Sequence, residues 1–456
     1  MALRRSETSG ICWKRDAPKH LISVNNGLAI STLIRTSSKN RGALAWAALW
    51  VIALASASAE AQVQRVIGPY EAENGIKVGE GRLHPYFDYE MHYDSAAGYF
   101  DYGGVPGVLR PEAVAHFRPG VRLEVPMNSS TISLDGNVDY VWYTGLITQG
   151  STNASRLQAA ADASANINQG GSVELDLTDH FARSDRTANA AIGVGIISLF
   201  NDAHLELPLR PGGRALEIVP SGGFSFESFK SISGVLPANC NPGDTCDPAS
   251  VPGMNYQNFR FGLDARWKFL PKTALTFENR VDTRSYTTGP PTNPSALVLK
   301  STVGLAGLVS PKIATVLKLG WGQDFQNTGL HTIVALAELS YLLSETSNVK
   351  LGYLRSAEPV PRYGTYRDDR GYLETRFFLD GRLTLHGSAA FDYLTFYAGS
   401  GRSDTAVTVD LGPEYQFTKW LIGAAGYVLG TRHSNNPAAT FNFTRNEAYI
   451  RATFLY

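Results

Sequence analysis

The stretch Asn446-Glu447-Ala448-Tyr449-Ile450-Arg451-Ala452-Thr453-Phe454-Leu455-Tyr456 closes the 456-residue chain and decides how the rest is read. Successive side chains of an extended strand point to opposite faces. Ala448, Ile450, Ala452, Phe454 and Tyr456 therefore share one face, and Glu447, Tyr449, Arg451, Thr453 and Leu455 the other. One face suits lipid and the other water, which is the pattern of the last strand of an outer-membrane barrel. A soluble sheet also alternates, but seldom ends flush with the polypeptide. The terminal aromatic strand is also the expected contact for barrel-assembly machinery.

The same two-residue period recurs upstream. Between Tyr256 and Phe269, Phe259, Phe261, Leu263, Ala265, Trp267 and Phe269 oppose Tyr256, Asn258, Arg260, Gly262, Asp264, Arg266 and Lys268. After the turn Leu270-Pro271-Lys272, Leu275, Phe277 and Val281 oppose Thr276, Glu278, Arg280, Asp282 and Arg284. Ile132 to Trp142 and Leu383 to Tyr393 repeat the pattern, and Leu373 and Phe377 face away from Glu374 and Arg376. A helical period would mix these classes, whereas a strand separates them.

Short turns fall near Pro126–Ser129, Asn168–Gly171, Arg210–Arg214, Leu270–Lys272, Ser310–Lys312, Ser344–Asn348, Asp380–Arg382 and Thr418–Lys419. Longer Gly/Pro/Asn/Ser-rich connections are expected near 94–111, 146–154, 184–189, 231–254, 288–295, 326–330, 357–366, 398–404 and 432–442. The segments between them number about eighteen, with short and long connections in strict alternation. The expectation is an all-β fold: a transmembrane, antiparallel, up-and-down β-barrel with short periplasmic turns and longer extracellular loops. In lipid every backbone polar group must be bonded within the protein, so the sheet has to close and lose its edges. Tyr140, Trp142, Trp267, Tyr393 and Tyr456 suit the aromatic girdles. Two stretches fit less simply. Ser155 to Asn166 is Ala-rich and helical by propensity, yet the alternation of turns requires a strand there. Ala190 to Leu209 is long for one plain strand and is expected to be bent, bulged or interrupted.

Charged residues make up only 18% of the chain, while Gly (44), Tyr (21) and Phe (21) are plentiful, as an alternating barrel requires. Ala43 to Ala59 is an apolar run preceded by Lys39 and Arg41 and followed by Ala59-Glu60-Ala61, the layout of a secretory signal cleaved near Ala61. A permanent anchor is the other reading, and the run is short for a span of about 20 residues. Residues 1–61 are thus an N-terminal extension and signal, 62–81 a short periplasmic or lumenal segment, and 82–456 the barrel. Beyond residue 61 the chain carries 33 basic and 38 acidic residues, which favours neither nucleic acid nor an anionic membrane surface. Cys240 and Cys246 bracket a tight Pro-Gly loop and read, in an exported protein, as a local disulfide.

These residues resemble the family called beta-barrel porin 2, whose members are associated with exopolysaccharide export. The resemblance covers about residues 80–456. It rests on Leu83-His84-Pro85-Tyr86-Phe87-Asp88-Tyr89, Arg183-Ser184-Asp185-Arg186-Thr187-Ala188-Asn189, Val303-Gly304-Leu305-Ala306-Gly307-Leu308-Val309-Ser310-Pro311 and Phe443-Thr444-Arg445-Asn446. It implies an eighteen-stranded barrel passing secreted polysaccharide, with periplasmic export machinery as its partner. It supplies no catalytic residue.

A pore needs a polar lumen. Its candidate lining is Arg260, Asp264, Arg266, Glu278, Arg280, Asp282, Arg284, Glu374 and Arg376, alternating in sign along neighbouring strands. The same residues also suit a cross-strand salt-bridge ladder that handles no solute. Mixed charge favours neutral hydrophilic solutes over a selective ion path. Tyr256, Tyr286, Tyr372 and Tyr449 are inward aromatics that would stack on sugar rings or simply pack the wall. The candidates for catalysis, His386 with Ser388, His180 with Asp179, and His331, offer no complete nucleophile, base and orienting group. No phosphate-binding glycine motif or zinc-spaced Cys/His cluster is present, so no cofactor or metal is expected. A plugged transporter would need a globular domain before the barrel, for which the roughly twenty residues after Ala61 are too few. The expected function is a porin-like channel linked to exopolysaccharide secretion. The alternative is a sealed surface barrel acting in adhesion or anchoring through its external loops.

Overall fold

A computed structural model describes residues 75–102, 105–148, 151, 155–185, 196–212, 215–231, 249–289, 292–326, 330–344, 346–397, 401–435 and 442–456. The expected signal segment and the expected Cys240–Cys246 disulfide lie outside these residues.

A three-residue strand, β1 (Ile76–Val78), precedes eighteen longer ones. They are β2 (Gly81–Tyr102), β3 (Val105–Pro126), β4 (Thr131–Tyr143), β5 (Arg156–Ile167), β6 (Leu175–Ser184) and β7 (Ile196–Glu206). Next come β8 (Leu216–Ser231), β9 (Tyr256–Leu270), β10 (Thr273–Tyr286), β11 (Ala296–Ser310), β12 (Ile313–Asp324) and β13 (His331–Leu342). The last six are β14 (Asn348–Val360), β15 (Gly364–Leu379), β16 (Leu383–Phe396), β17 (Ser403–Thr418), β18 (Leu421–Ser434) and β19 (Phe443–Leu455). Each of these eighteen pairs antiparallel with its sequence neighbours. β19 closes the ring by pairing with β2, from Leu455↔Tyr86 to Glu447↔Asp94. β1 continues the same edge of β2 beyond the end of β19, with Ile76 opposite Leu83 and Val78 opposite Gly81. Of the 62–81 segment, its last residues are therefore strand. Among the described residues no helix is long and apolar enough to cross a membrane, so any crossing is by strands.

The faces are inverted relative to a water-soluble protein. Phe261, Leu319 and Ile450 are 62%, 64% and 62% exposed, whereas Lys318, Arg284 and Glu447 on the opposite faces are at most 7% exposed. Large apolar side chains outside and charged ones inside fit only a surface wrapped in hydrocarbon. Tyr140, Trp142 and Tyr393 stand exposed towards the outer strand ends, and Trp267 and Tyr456 at the opposite end. At that opposite end Trp420 and Phe87 flank Phe454, each with ring centroids 6.3 Å from it. The two aromatic belts mark the membrane boundaries.

The Ala-rich segment forms β5, its strand character set by pairing with β4 and β6 rather than by propensity. β7 is a regular strand to Glu206, after which pairing resumes only at Leu209, opposite Ile218. Residues 190–195 lie outside the description. Two expected long connections are corrected. At 94–111 the chain stays in strand through Tyr102 and from Val105, with a register shift between Asp94 and Gly98. At 357–366 a tight hairpin replaces the loop, with Val360 opposite Gly364. Arg362 and Gly364 take positive φ (66° and 68°), which turns the chain in three residues.

Candidate functional site: the interior of the barrel

Each predicted lumenal residue falls on the face opposite the exposed apolar side chains, and most meet a counter-charge. Arg260 pairs with Asp202 of β7, reaching over β8. Arg266 lies 3.3 Å from Glu217 of β8, which also accepts from Arg210 at 2.7 Å. Glu278 pairs with Lys318 of β12, reaching over β11. Asp264 stands opposite Glu278, and Arg280 opposite Lys300. Asp282 is 3.8 Å from Lys300, and Glu374 3.3 Å from Lys350. Arg376 stands opposite His386, on the same inner face. Pairs that skip a strand require side chains projecting from a shared concave surface, as in Arg260–Asp202 and Glu278–Lys318.

The inward tyrosines divide into two kinds. Tyr372 and Tyr449 stand opposite Gly352 and Gly426, and Tyr86 opposite Gly120 in the same manner. In each pair a Cβ on the glycine would collide with the ring, so the glycine is what lets the ring lie flat on the wall. Tyr372 then donates its hydroxyl to Glu338 (2.8 Å). Tyr256 and Tyr286 instead pack together near the outer rim with Ile196, Phe229, Val251 and Met254. Arg284 lies 4.0 Å above the Tyr256 ring.

The element that shapes the bore was not legible as such. β14 pairs with β13 only as far as Arg355, opposite Ala335, while its own pairing with β15 runs on to Val360. The end of the β14–β15 hairpin has thus left the wall on the β13 side. It crosses the inner surface of β10–β13. Arg284 of β10 donates to the Pro359 carbonyl (3.1 Å), Lys300 of β11 to Glu358 (3.0 Å), and Thr365 to Asp324 of β12. The Arg362 amide donates to Asn293 Oδ1 (3.1 Å). β10 lies four strands from β14, about 19 Å along the wall at ~4.8 Å per strand. An arginine side chain cannot span that distance, so the hairpin itself must bend inward. Ala357 packs with Ala296, Val298 and Leu330, small and apolar residues that admit close approach. Pro359 lacks an N–H, which suits a strand that has given up its partner.

The other flank of the hairpin docks on a buried ionic triad. Asp404 receives Arg402 Nε at 3.0 Å and Arg432 Nε at 3.0 Å, and all three side chains have no solvent exposure. Arg402 stacks on Phe396 and Tyr363 at 4.1 and 4.9 Å, and Tyr363 is the hairpin's own residue. Val360, Tyr366, Leu394 and Phe396 form the adjoining core.

The catalytic candidates do not assemble. His180 bonds Asp162 across the interior face (2.7 Å), while Asp179, next in sequence, points to the opposite face and accepts from Asn201 (2.8 Å). His386 lies 3.7 Å from Asp410, and His331 stacks on Trp321. Among the described residues none of these rings bonds a hydroxyl.

A closed antiparallel barrel of eighteen long strands, greasy outside and ionic within, is a bacterial outer-membrane β-barrel. No family model matches the chain, and no characterised protein does at the level of sequence. Among solved structures it is similar to OccAB4 of Acinetobacter baumannii, with 12% identity, 82% of this chain and 98% of that one covered, and a TM-score of 0.44. It is also similar to OccK3 (OpdO) of Pseudomonas aeruginosa, with 11% identity, coverages of 82% and 95%, and a TM-score of 0.42. The siderophore receptor PirA of Pseudomonas aeruginosa shows 11% identity, coverages of 85% and 85%, and a TM-score of 0.43. These likenesses concern architecture alone, and the reading of the site rests on the barrel's own geometry.

Proposed function

We propose that the barrel is a passive channel for hydrophilic solutes, narrowed by the β14–β15 hairpin, and that its role is exopolysaccharide secretion together with periplasmic export machinery. Eighteen strands at ~4.8 Å spacing and a tilt of ~40° enclose a ring about 35 Å across at the backbone, wider than side chains alone fill. Water therefore enters unless chain is folded inside. The observation that carries the reading is the inward hairpin set against a wall of paired charges. It reduces the bore without a single-sign ring, which suits bulky neutral solutes better than ions. The link to polysaccharide is the resemblance to beta-barrel porin 2, and no chemistry on substrate is required.

Planar-bilayer recording tests the channel. Wild type is expected to conduct, and a variant lacking residues 357–365 to conduct more per opening. Absence of current in both forms would overturn the channel reading. Export is tested separately, by measuring surface polysaccharide in cells lacking the protein. Unchanged polysaccharide alongside normal conductance would remove the secretion role and leave the channel.

A further inference from the structure

We propose that Glu90, His92 and His116, on the inner wall of β2 and β3, form a binding site for a divalent transition-metal ion of the zinc type. The site needs only the folded barrel and is independent of what passes through it. Residues 90, 92 and 94 share one face of β2, and His116 of β3 stands directly opposite Glu90. One ligand atom from each of Glu90, His92 and His116 lies within 4.8 Å of the others. Glu90 Oε1 and His92 Nδ1 are 3.5 Å apart. Two ligands of one tetrahedral zinc, each bonded at about 2.1 Å, sit about 3.4 Å apart, so that pair is already spaced for a shared ion. The His92 and His116 rings are tilted by 50° with centroids 4.9 Å apart, which keeps the third ligand within the same cluster.

The surrounding groups favour this trio. The His116 Nδ1–H donates to Asp139 Oδ2 (2.8 Å), and Asp139 is itself held by Arg118 Nη2 (3.0 Å). A carboxylate on one ring nitrogen fixes the tautomer and directs the other nitrogen's lone pair outward, the usual support of a metal-binding histidine. Arg451 sits 3.9 Å from Glu90 Oε2, leaving Oε1 towards His92. A second trio, His92 with Asp94 and Glu447, shares His92, but Arg445 occupies both of its carboxylates. Two imidazoles and one carboxylate are the donors of zinc, copper or nickel, with lumenal water completing the shell. Magnesium and calcium, which take oxygen ligands, fit poorly.

The test uses the full-length barrel refolded in detergent, with Co2+ followed by its visible absorption and Zn2+ by calorimetry. One Zn2+ per chain is expected, displacing Co2+, with a large excess of Mg2+ failing to compete. The double substitution His92→Gln and His116→Gln is expected to weaken binding by at least tenfold, with folding checked by heat-modifiable mobility on gels. Asp139→Asn, which keeps all three ligands, is expected to weaken it by about 10–100-fold. Should the double variant fail to fold, Asp139→Asn carries the test alone. Zn2+ binding unchanged in the folded variants, displacement by Mg2+, or no binding by wild type would each overturn the assignment.

Discussion

Replacing Asp404 with alanine is the most informative single perturbation, because one carboxylate holds two arginines that have no contact with water. Asp404 accepts from Arg402 through Nε at 3.0 Å and Nη2 at 2.5 Å, and from Arg432 through Nε at 3.0 Å and Nη2. All three side chains are fully buried. Removing one partner of a buried ion pair typically costs about 3–5 kcal/mol, because the remaining charge is desolvated without compensation. Here two like charges would be left facing each other, which places the expectation at the upper end of that range, about 4–5 kcal/mol. Arg402 also stacks on Tyr363, so the loss should release the hairpin as well as weaken the barrel. Urea titration in lipid vesicles, followed by heat-modifiable mobility, reads the first effect, and single-channel current reads the second. Converting the whole triad (Arg402→Met, Asp404→Leu, Arg432→Met) should recover most of the stability, since an apolar cluster of similar volume often replaces a buried ion pair without loss. A loss below about 1 kcal/mol for Asp404→Ala, the value of a solvated surface pair, would refute the buried-triad account.

Three further outcomes are expected. Gly352→Val forces the Tyr372 ring off the wall and breaks its bond to Glu338; it should cost about 1–3 kcal/mol in the same titration, whereas Gly371→Val, with open space at its Cβ, should be close to neutral. Phe261→Arg places a charge on the lipid face near the middle of β9 and should cost about 2–4 kcal/mol in vesicles. Arg260→Gln, Arg266→Gln and Arg280→Gln together make the interior more negative, and the reversal potential in a salt gradient should move towards cation preference.

The alternation that located the strands works because lipid and water impose opposite demands on neighbouring residues. It therefore separated the charges of β9 and β10 from Phe259, Phe261 and Trp267, which stand exposed on the other face. It even predicted β5, where helix propensity argued otherwise, because a closed sheet cannot omit one member of an alternating series. It was blind wherever the sheet stops being a wall. Ala357-Glu358-Pro359-Val360-Pro361 has too many prolines for a spanning strand and too much apolar surface for a hydrated loop. That mixture was the available sign of a segment packed inside the bore. Asp179, paired with His180 in the sequence reading, instead faces outward to Asn201, a partner on the next strand that no local pattern announces.

The histidine cluster shows a different limit. Glu90, His92 and Asp94 are a two-residue repeat that reads as ordinary lumenal polarity, and His116 lies 24 residues beyond His92. Only the hairpin register, with Glu90 opposite His116, turns the repeat into a group of ligands, and only the closing pair, with Glu447 opposite Asp94, brings Arg445 alongside. Register is fixed by the faces: a slip of one residue would send every polar side chain of β2 into lipid. The hydrophobic exterior therefore specifies the interior constellation without any interior residue having to specify it. Chemistry inside such a barrel can change residue by residue while the fold stays put, and β19 pairs with β2 through the same outward Ile450 and Met91 whatever stands on the inner face.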